Sequence, residues 1–225
     1  MAHEPLTFTV GEVFPTATAA QKEQSARIVQ FLLAVRPLAA IARAAAGIRG
    51  GSPTEAEDSM VAVLLELGAA KEAADAFFEA ERHGDFAVAY SNGVLSKMPP
   101  GKAEAVTSAY ERLKRECLKD KNSKSLLTAV VGPIRNYLGF HWHRGRIAEQ
   151  LVALSVQKYA LCEGGPMLSE WQFPFLTDLM ERLRQDVMQD SGAELTERLA
   201  RLCIDLNLVS AHVFAVGVHK AAGRL

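Results

Sequence analysis

The chain has 225 residues, 49% of them hydrophobic and 23% charged, with 25 Lys and Arg against 26 Asp and Glu. That length and composition suit one large or two small folded domains, and they exclude a disordered, collagenous or disulfide-stapled chain. The near-zero net charge excludes a protein that is basic all over but leaves room for local patches.

Residues 1–18 hold Pro5, Gly11 and Pro15, and within them Leu6, Phe8 and Val10 alternate with Thr7 and Thr9. The alternation reads as a short strand or an ordered tail, an extended or flexible segment ahead of a single domain over 19–225. From Ala19 the period becomes helical. Ile28, Phe31, Leu32 and Val35 share one face, and Pro37 should kink or end that helix. Gly47, Gly50 and Gly51 stop whatever continues. Ser52-Pro53-Thr54-Glu55 then starts a new helix, with Ser as N-cap, Pro in the first turn and Glu three residues past the cap.

Val61, Leu64 and Leu65 lead into Ala73, Ala74, Phe77 and Phe78, with an end near Gly84. Ser91-Asn92-Gly93 and Pro99-Pro100-Gly101 read as turns or loops. Val106, Tyr110, Leu113 and Cys117 predict the next helix, and Leu176, Leu179, Met180, Leu183 and Val187 another. The last helix has the clearest pattern. Leu195, Leu199, Leu202, Leu206, Val209, Val213 and Val216 alternate steps of four and three, a packing seam inside a bundle or between subunits. The expected fold is all-α, a bundle of about seven or eight helices with a short irregular or extended N-terminal segment.

Cys117, Cys162 and Cys203 are odd in number and far apart, so they read as small apolar residues rather than a disulfide framework. His3 and Glu4 stand where an export signal would be basic. Arg36, Pro37 and Arg43 interrupt the apolar stretch from Ile28 to Ile48, and the run from Asn207 to His219 is short for a bilayer. A cytoplasmic protein without membrane contact is expected.

One stretch carries chemistry. Gly132-Pro133 breaks a helix and opens the next, and Arg135 follows just inside the new first turn, ahead of His141. Arg135 is permanently charged and forks onto phosphate oxygens; His141 exchanges a proton near neutral pH; a helix N-terminus favours an anion. Nine basic residues lie between Arg112 and Arg146, Lys121, Lys124 and Arg144 among them, against only Glu116 and Asp120. The segment is therefore +7 and the remainder −8. A basic stripe inside a balanced chain is the footprint of phosphate or nucleic-acid contact, and Tyr137, Phe140 and Trp142 lie in it where bases would stack.

The run Arg135-Asn136-Tyr137-Leu138-Gly139-Phe140-His141 resembles the hallmark of the HEPN superfamily (higher eukaryotes and prokaryotes nucleotide-binding domain). That hallmark is an Arg and a His with four to six residues between them, the first of these usually polar, on a helix of an all-α bundle. Many members are metal-independent endoribonucleases in toxin–antitoxin, phage-defence or RNA-processing settings, with two motif copies meeting across a homodimer. The resemblance implies that His141 handles the proton of a ribose 2′-hydroxyl or leaving oxygen. Arg135 would neutralise charge on the phosphoryl oxygens and Asn136 would orient one of them. His143, Arg144, Arg146, Lys121 and Lys124 are the expected RNA contacts, with an antitoxin-type protein as a further partner. No cofactor or metal is expected: His141 and His143 diverge by about 200° on a helix, and no third ligand follows.

Structural alternatives stand beside this reading. Arg135 and His141 lie roughly 120° apart around an ideal helix, and His141 lines up with Ile134, Tyr137 and Leu138. That suits a partly buried histidine bonded to a carbonyl, with Arg135 on a carboxylate. Asn136, Phe140 and His143 share another face, which makes His143 an alternative imidazole. Asp205, His212 and His219 recur at seven-residue steps, a polar thread that reads first as an internal hydrogen-bond line. The cations from Lys114 onward equally suit a helix C-terminus. No nucleophile elbow, phosphate loop, dinucleotide fingerprint or zinc-protease motif is present. The alternative function is a non-catalytic helical module that forms a homodimer or binds a protein partner.

Overall fold

The computed structural model describes residues 7–38, 40–41, 55–117, 125–126, 144–159, 178–179, 182 and 192–225; for 55–64, 144–146 and 192–196 it describes the backbone alone. Among these residues there are seven helices and no strand.

Residues 7–18 of the N-terminal segment form no strand. Gly11 and Glu12 break the alternation, and α1 (Val10–Val13) is one helical turn in which Thr9 N–H and its hydroxyl both donate to the Glu12 carboxylate, at 2.6 and 2.8 Å. Phe8 and Phe14 pack on Phe214 of the last helix, with ring centroids 5.8 and 6.4 Å away. A Cβ at Gly217 would lie 2.9 Å from Val13 Cγ1, so the absence of a side chain there lets α1 lie close.

A reciprocal cap opens α2 (Ala19–Val35): Gln21 N–H donates to Thr18 Oγ1, and Thr18 N–H donates to Gln21 Oε1. The helix ends before Pro37, as that residue's missing N–H requires. Next comes α3 (Glu55–Arg82), whose proposed cap at Ser52 lies outside the described residues. Gly84, at φ +70°, closes it: Gly84 N–H donates to Glu81 O and Asp85 N–H to Ala80 O. The turn expected at Ser91-Asn92-Gly93 is instead one helical turn, α4 (Asn92–Leu95), with Ser91 in the N-cap position. Likewise Pro99-Pro100-Gly101 is no loop; Pro100 is the first residue of α5 (Pro100–Glu116), a position where its lost N–H costs nothing. Two more helices are α6 (Arg144–Leu154) and α7 (Gly192–Ala221).

Helix α2 packs along α3 and α5 along α7, while α7 also touches α1, α2 and α3. Phe31, Phe77 and Phe86 meet at the centre with ring centroids 5.3–5.8 Å apart, all essentially unexposed. Each such ring contributes about 1.5–3 kcal/mol by leaving water. The face read from Val106, Tyr110, Leu113 and Cys117 is buried, and so is the seam from Leu199 to Val216. That seam is therefore interior to one chain. The helical stretch Glu197–Ala221 is longer than the apolar run from Asn207 to His219, and it is long and apolar enough to cross a membrane; half of its 18-residue apolar window is buried in the bundle.

Arg112 on α5 meets Asp205 on α7, and Glu116, one turn further along α5, meets Arg198, seven residues earlier on α7. The two helices therefore run antiparallel, and each end of the pair gathers a different set of side chains.

Candidate functional site

Most residues nominated from sequence, Arg135, Asn136, His141, His143, Lys121 and Lys124, lie outside the described residues. Arg144 and Arg146 open α6, and their side chains are not described. What is described is how the flanks of this segment are held. On the near side Cys117 and Leu126 are buried in the core, and Leu126 N–H donates to Glu116 at 2.7 Å. On the far side Leu154 is buried in the same core.

The described cations of the basic stripe are largely committed. The Arg112 guanidinium forks onto Asp205, with Nε and Nη2 each 2.8 Å from a carboxylate oxygen, and Asp205 is almost fully buried. That bond holds Arg112 even more firmly protonated than usual. Lys114 meets Glu111 at 3.2 Å and lies over the Tyr110 ring. Lys114 and Arg115 occupy the last turn of α5, where cations complement the helix dipole. Arg198 reaches Glu116 at 3.1 Å. This end of the α5–α7 pair is a network of matched charges.

Mid-way along α5, Tyr110 stacks flat on Tyr90, with centroids 3.8 Å apart. The Tyr110 hydroxyl donates to Glu81, and burial with that bond pushes its ionisation upward. The Tyr90 hydroxyl is buried without a hydrogen-bond partner among the described residues, and burial pushes its ionisation up further still. His212 lies beside Tyr90 and donates from Nε2 to the Ala89 carbonyl at 2.9 Å. Burial lowers its pKa, so the ring is held neutral with Nδ1 as its acceptor. The Asp205–His212–His219 thread is therefore three separate sites: an ion pair, a carbonyl bond, and a cleft wall.

That cleft is at the other end of the pair. It encloses about 470 Å³ between α4, α5, α7 and the residues after α7. Val94, Met98, Val106, Leu208 and Val216 make apolar walls, and Val106 and Val216 are buried. Lys97, Lys102, His219 and Arg224 surround them, and no Asp or Glu lines the space. A left-handed Gly223, at φ +66°, folds the chain back so that Arg224 N–H donates to His219 O, which brings Arg224 to the rim. Neither Lys97, Lys102 nor Arg224 forms an ion pair among the described residues. The positive end of α5 and the negative end of α7 meet here, so their dipoles offset and the side-chain cations set the sign.

Of the polar residues of this cleft only His212 and His219 stand out in the sequence, while Val106 and Val216 read there as packing positions. Lys97 and Lys102 lie over a hundred residues before Arg224, and nothing in that spacing announces that one cleft collects all three. Burial pushes the Cys203 thiol up to about 11, so it is no ready nucleophile. Among the described residues no three His, Cys, Asp or Glu gather as a metal site. Comparison with known proteins finds no matching family model, no matching curated protein and no matching solved structure.

Proposed function

We propose that this chain is a metal-independent RNA-cleaving or RNA-binding helical protein of HEPN type, acting as a cytoplasmic homodimer. The observation that carries the reading is Arg135-Asn136 followed by His141 within a segment of net charge +7. The all-α architecture supports it, as does the anchoring of that segment to the core at Leu126 and Leu154. His141 moves the proton of the ribose 2′-hydroxyl or leaving oxygen, Arg135 neutralises the phosphoryl oxygens, and Asn136 orients one of them. Lys121, Lys124, His143, Arg144 and Arg146 hold the RNA backbone. Arg112, counted in the net charge of that segment, is already occupied by Asp205.

A second reading, a non-catalytic module that docks a protein partner, is favoured by Leu151, Val152 and Val156, apolar residues that α6 and its exit leave exposed. Incubation of the purified chain with structured RNA in EDTA separates the two. Cleavage that falls about a hundredfold or more in His141→Ala and in Arg135→Ala supports the catalytic reading. Binding without cleavage that weakens steeply with salt supports RNA binding alone. Equal cleavage by wild type and both variants, or no interaction with RNA at all, overturns the proposal and leaves the docking module.

A further inference from the structure

We infer that the cleft between α4, α5 and α7 binds a medium-chain acyl anion, its tail against the apolar walls and its carboxylate at the cationic rim. The inference is independent of the RNA reading, since it uses none of the same residues. Three observations carry it. The volume, about 470 Å³, falls within the range of small-molecule sites, about 300–1,000 Å³. The walls are apolar and drawn from separate elements, with Val106 on α5 and Val216 on α7 buried at the floor. Cationic side chains predominate at the mouth: Lys97, Lys102 and Arg224 line it together with Leu225, and no Asp or Glu side chain is in the lining.

The rest of the molecule gives this last point its weight. Arg27 forks onto Asp85, Arg112 onto Asp205, and Arg198 reaches Glu116, so three partly buried arginines elsewhere each meet a carboxylate. Three cationic side chains around an apolar space raise the local preference for an anion. A simple inorganic anion would leave the walls wet, and a neutral apolar molecule would leave the rim unmatched. A molecule with a single negative head and an apolar tail answers both. An RNA strand would use the rim and not the floor.

The test is calorimetric titration of the full chain with decanoate, below its micellar concentration. One saturable site is expected, with decanol (tail without charge) and butyrate (charge with little tail) each at least about tenfold weaker. Lys97→Gln/Lys102→Gln is expected to weaken decanoate severalfold while leaving decanol unchanged, and raising the salt concentration should shrink the same difference. Ala215→Trp, at an exposed α7 position lining the cleft, should abolish binding of both. Melting curves establish that each variant folds. Equal affinity for decanoate and decanol overturns the anionic head, and unchanged binding in Ala215→Trp overturns the location. Displacement of decanoate by a short RNA overturns the occupant, and no saturable binding overturns the whole inference. His141→Ala should bind decanoate as wild type does, so the failure of either proposal is read separately from that of the other.

Discussion

The two ends of the α5–α7 pair are made from the same kinds of residue and behave as opposites. At one end Arg112, Asp205, Glu116 and Arg198 lie in register across antiparallel helices, and each charge has a partner. At the other, Lys97, Lys102 and Arg224 collect around an apolar cleft without a carboxylate side chain. The difference teaches that a count of charges does not by itself say which of them are open to a ligand. The stripe that is most basic in sequence spends its described cations on structure. The cleft, which no charge run marks, holds cations that form no ion pair among the described residues. Charge signals a ligand where geometry leaves it unmatched.

The matched end can be broken most severely through Arg112. Asp205 is nearly fully buried while Arg112 keeps about a third of its exposure, so the two truncations are unequal. Arg112→Ala strands a buried carboxylate and should cost about 3 kcal/mol or more, a fall in melting temperature of about 6–12 °C. Asp205→Ala leaves a cation that water can still reach, and should cost about 2 kcal/mol. Arg112→Met/Asp205→Leu removes both charges and should recover to within about 1 kcal/mol of wild type. Chemical denaturation of the three variants measures this; equal losses for both single variants would break the account of this end as a buried carboxylate rescued by its partner.

Between the ends, smaller effects separate satisfied from unsatisfied polar groups. Tyr110→Phe removes the bond to Glu81 and should cost about 1 kcal/mol, whereas Tyr90→Phe removes a hydroxyl without a partner and should be neutral or stabilising. His212 sets a pH dependence. Its folded pKa lies below the unfolded value of 6.5, so the unfolded chain takes the proton first. This contribution is full above pH 6.5 and is lost as pH falls from there toward the lowered folded value, by at most about 1.4 kcal/mol per pH unit. His212→Gln keeps a donor for the Ala89 carbonyl and should flatten that slope in melting curves taken between about pH 5 and 6.5.

Much of the bundle was legible in the sequence because burial imposes a period. The four-and-three stripe of α7, the face of α5 from Val106 to Cys117, and the stop at Pro37 all follow from residues within a few turns of one another. Local punctuation was less legible. Ser91-Asn92-Gly93 and Pro99-Pro100-Gly101 are as compatible with a helix start as with a turn, and only packing decides. The polar thread Asp205–His212–His219 was visible, but its partners, Arg112 and the Ala89 carbonyl, come from other elements. The cleft was least legible of all, since Lys97 and Arg224 become neighbours only when α4 and the Gly223 turn are in place.

The smallest expected effect is the sharpest test of the open end. If Lys97, Lys102 and Arg224 had structural partners, removing them would resemble the loss of Arg112. Since none is paired among the described residues, Lys97→Gln, Lys102→Gln and Arg224→Gln should each change stability by less than about 0.5 kcal/mol. At low ionic strength the change should be toward greater stability, because removing one of three like charges relieves repulsion, and it should vanish as salt is raised. Adding decanoate should reverse the sign: wild type gains stability from the bound anion, growing as the logarithm of one plus ligand over its dissociation constant, and the glutamine variants gain less. A cation that is costly without ligand and stabilising with it behaves as part of a site. One that is stabilising in both conditions belongs to the scaffold, and the contrast between the two ends would then disappear.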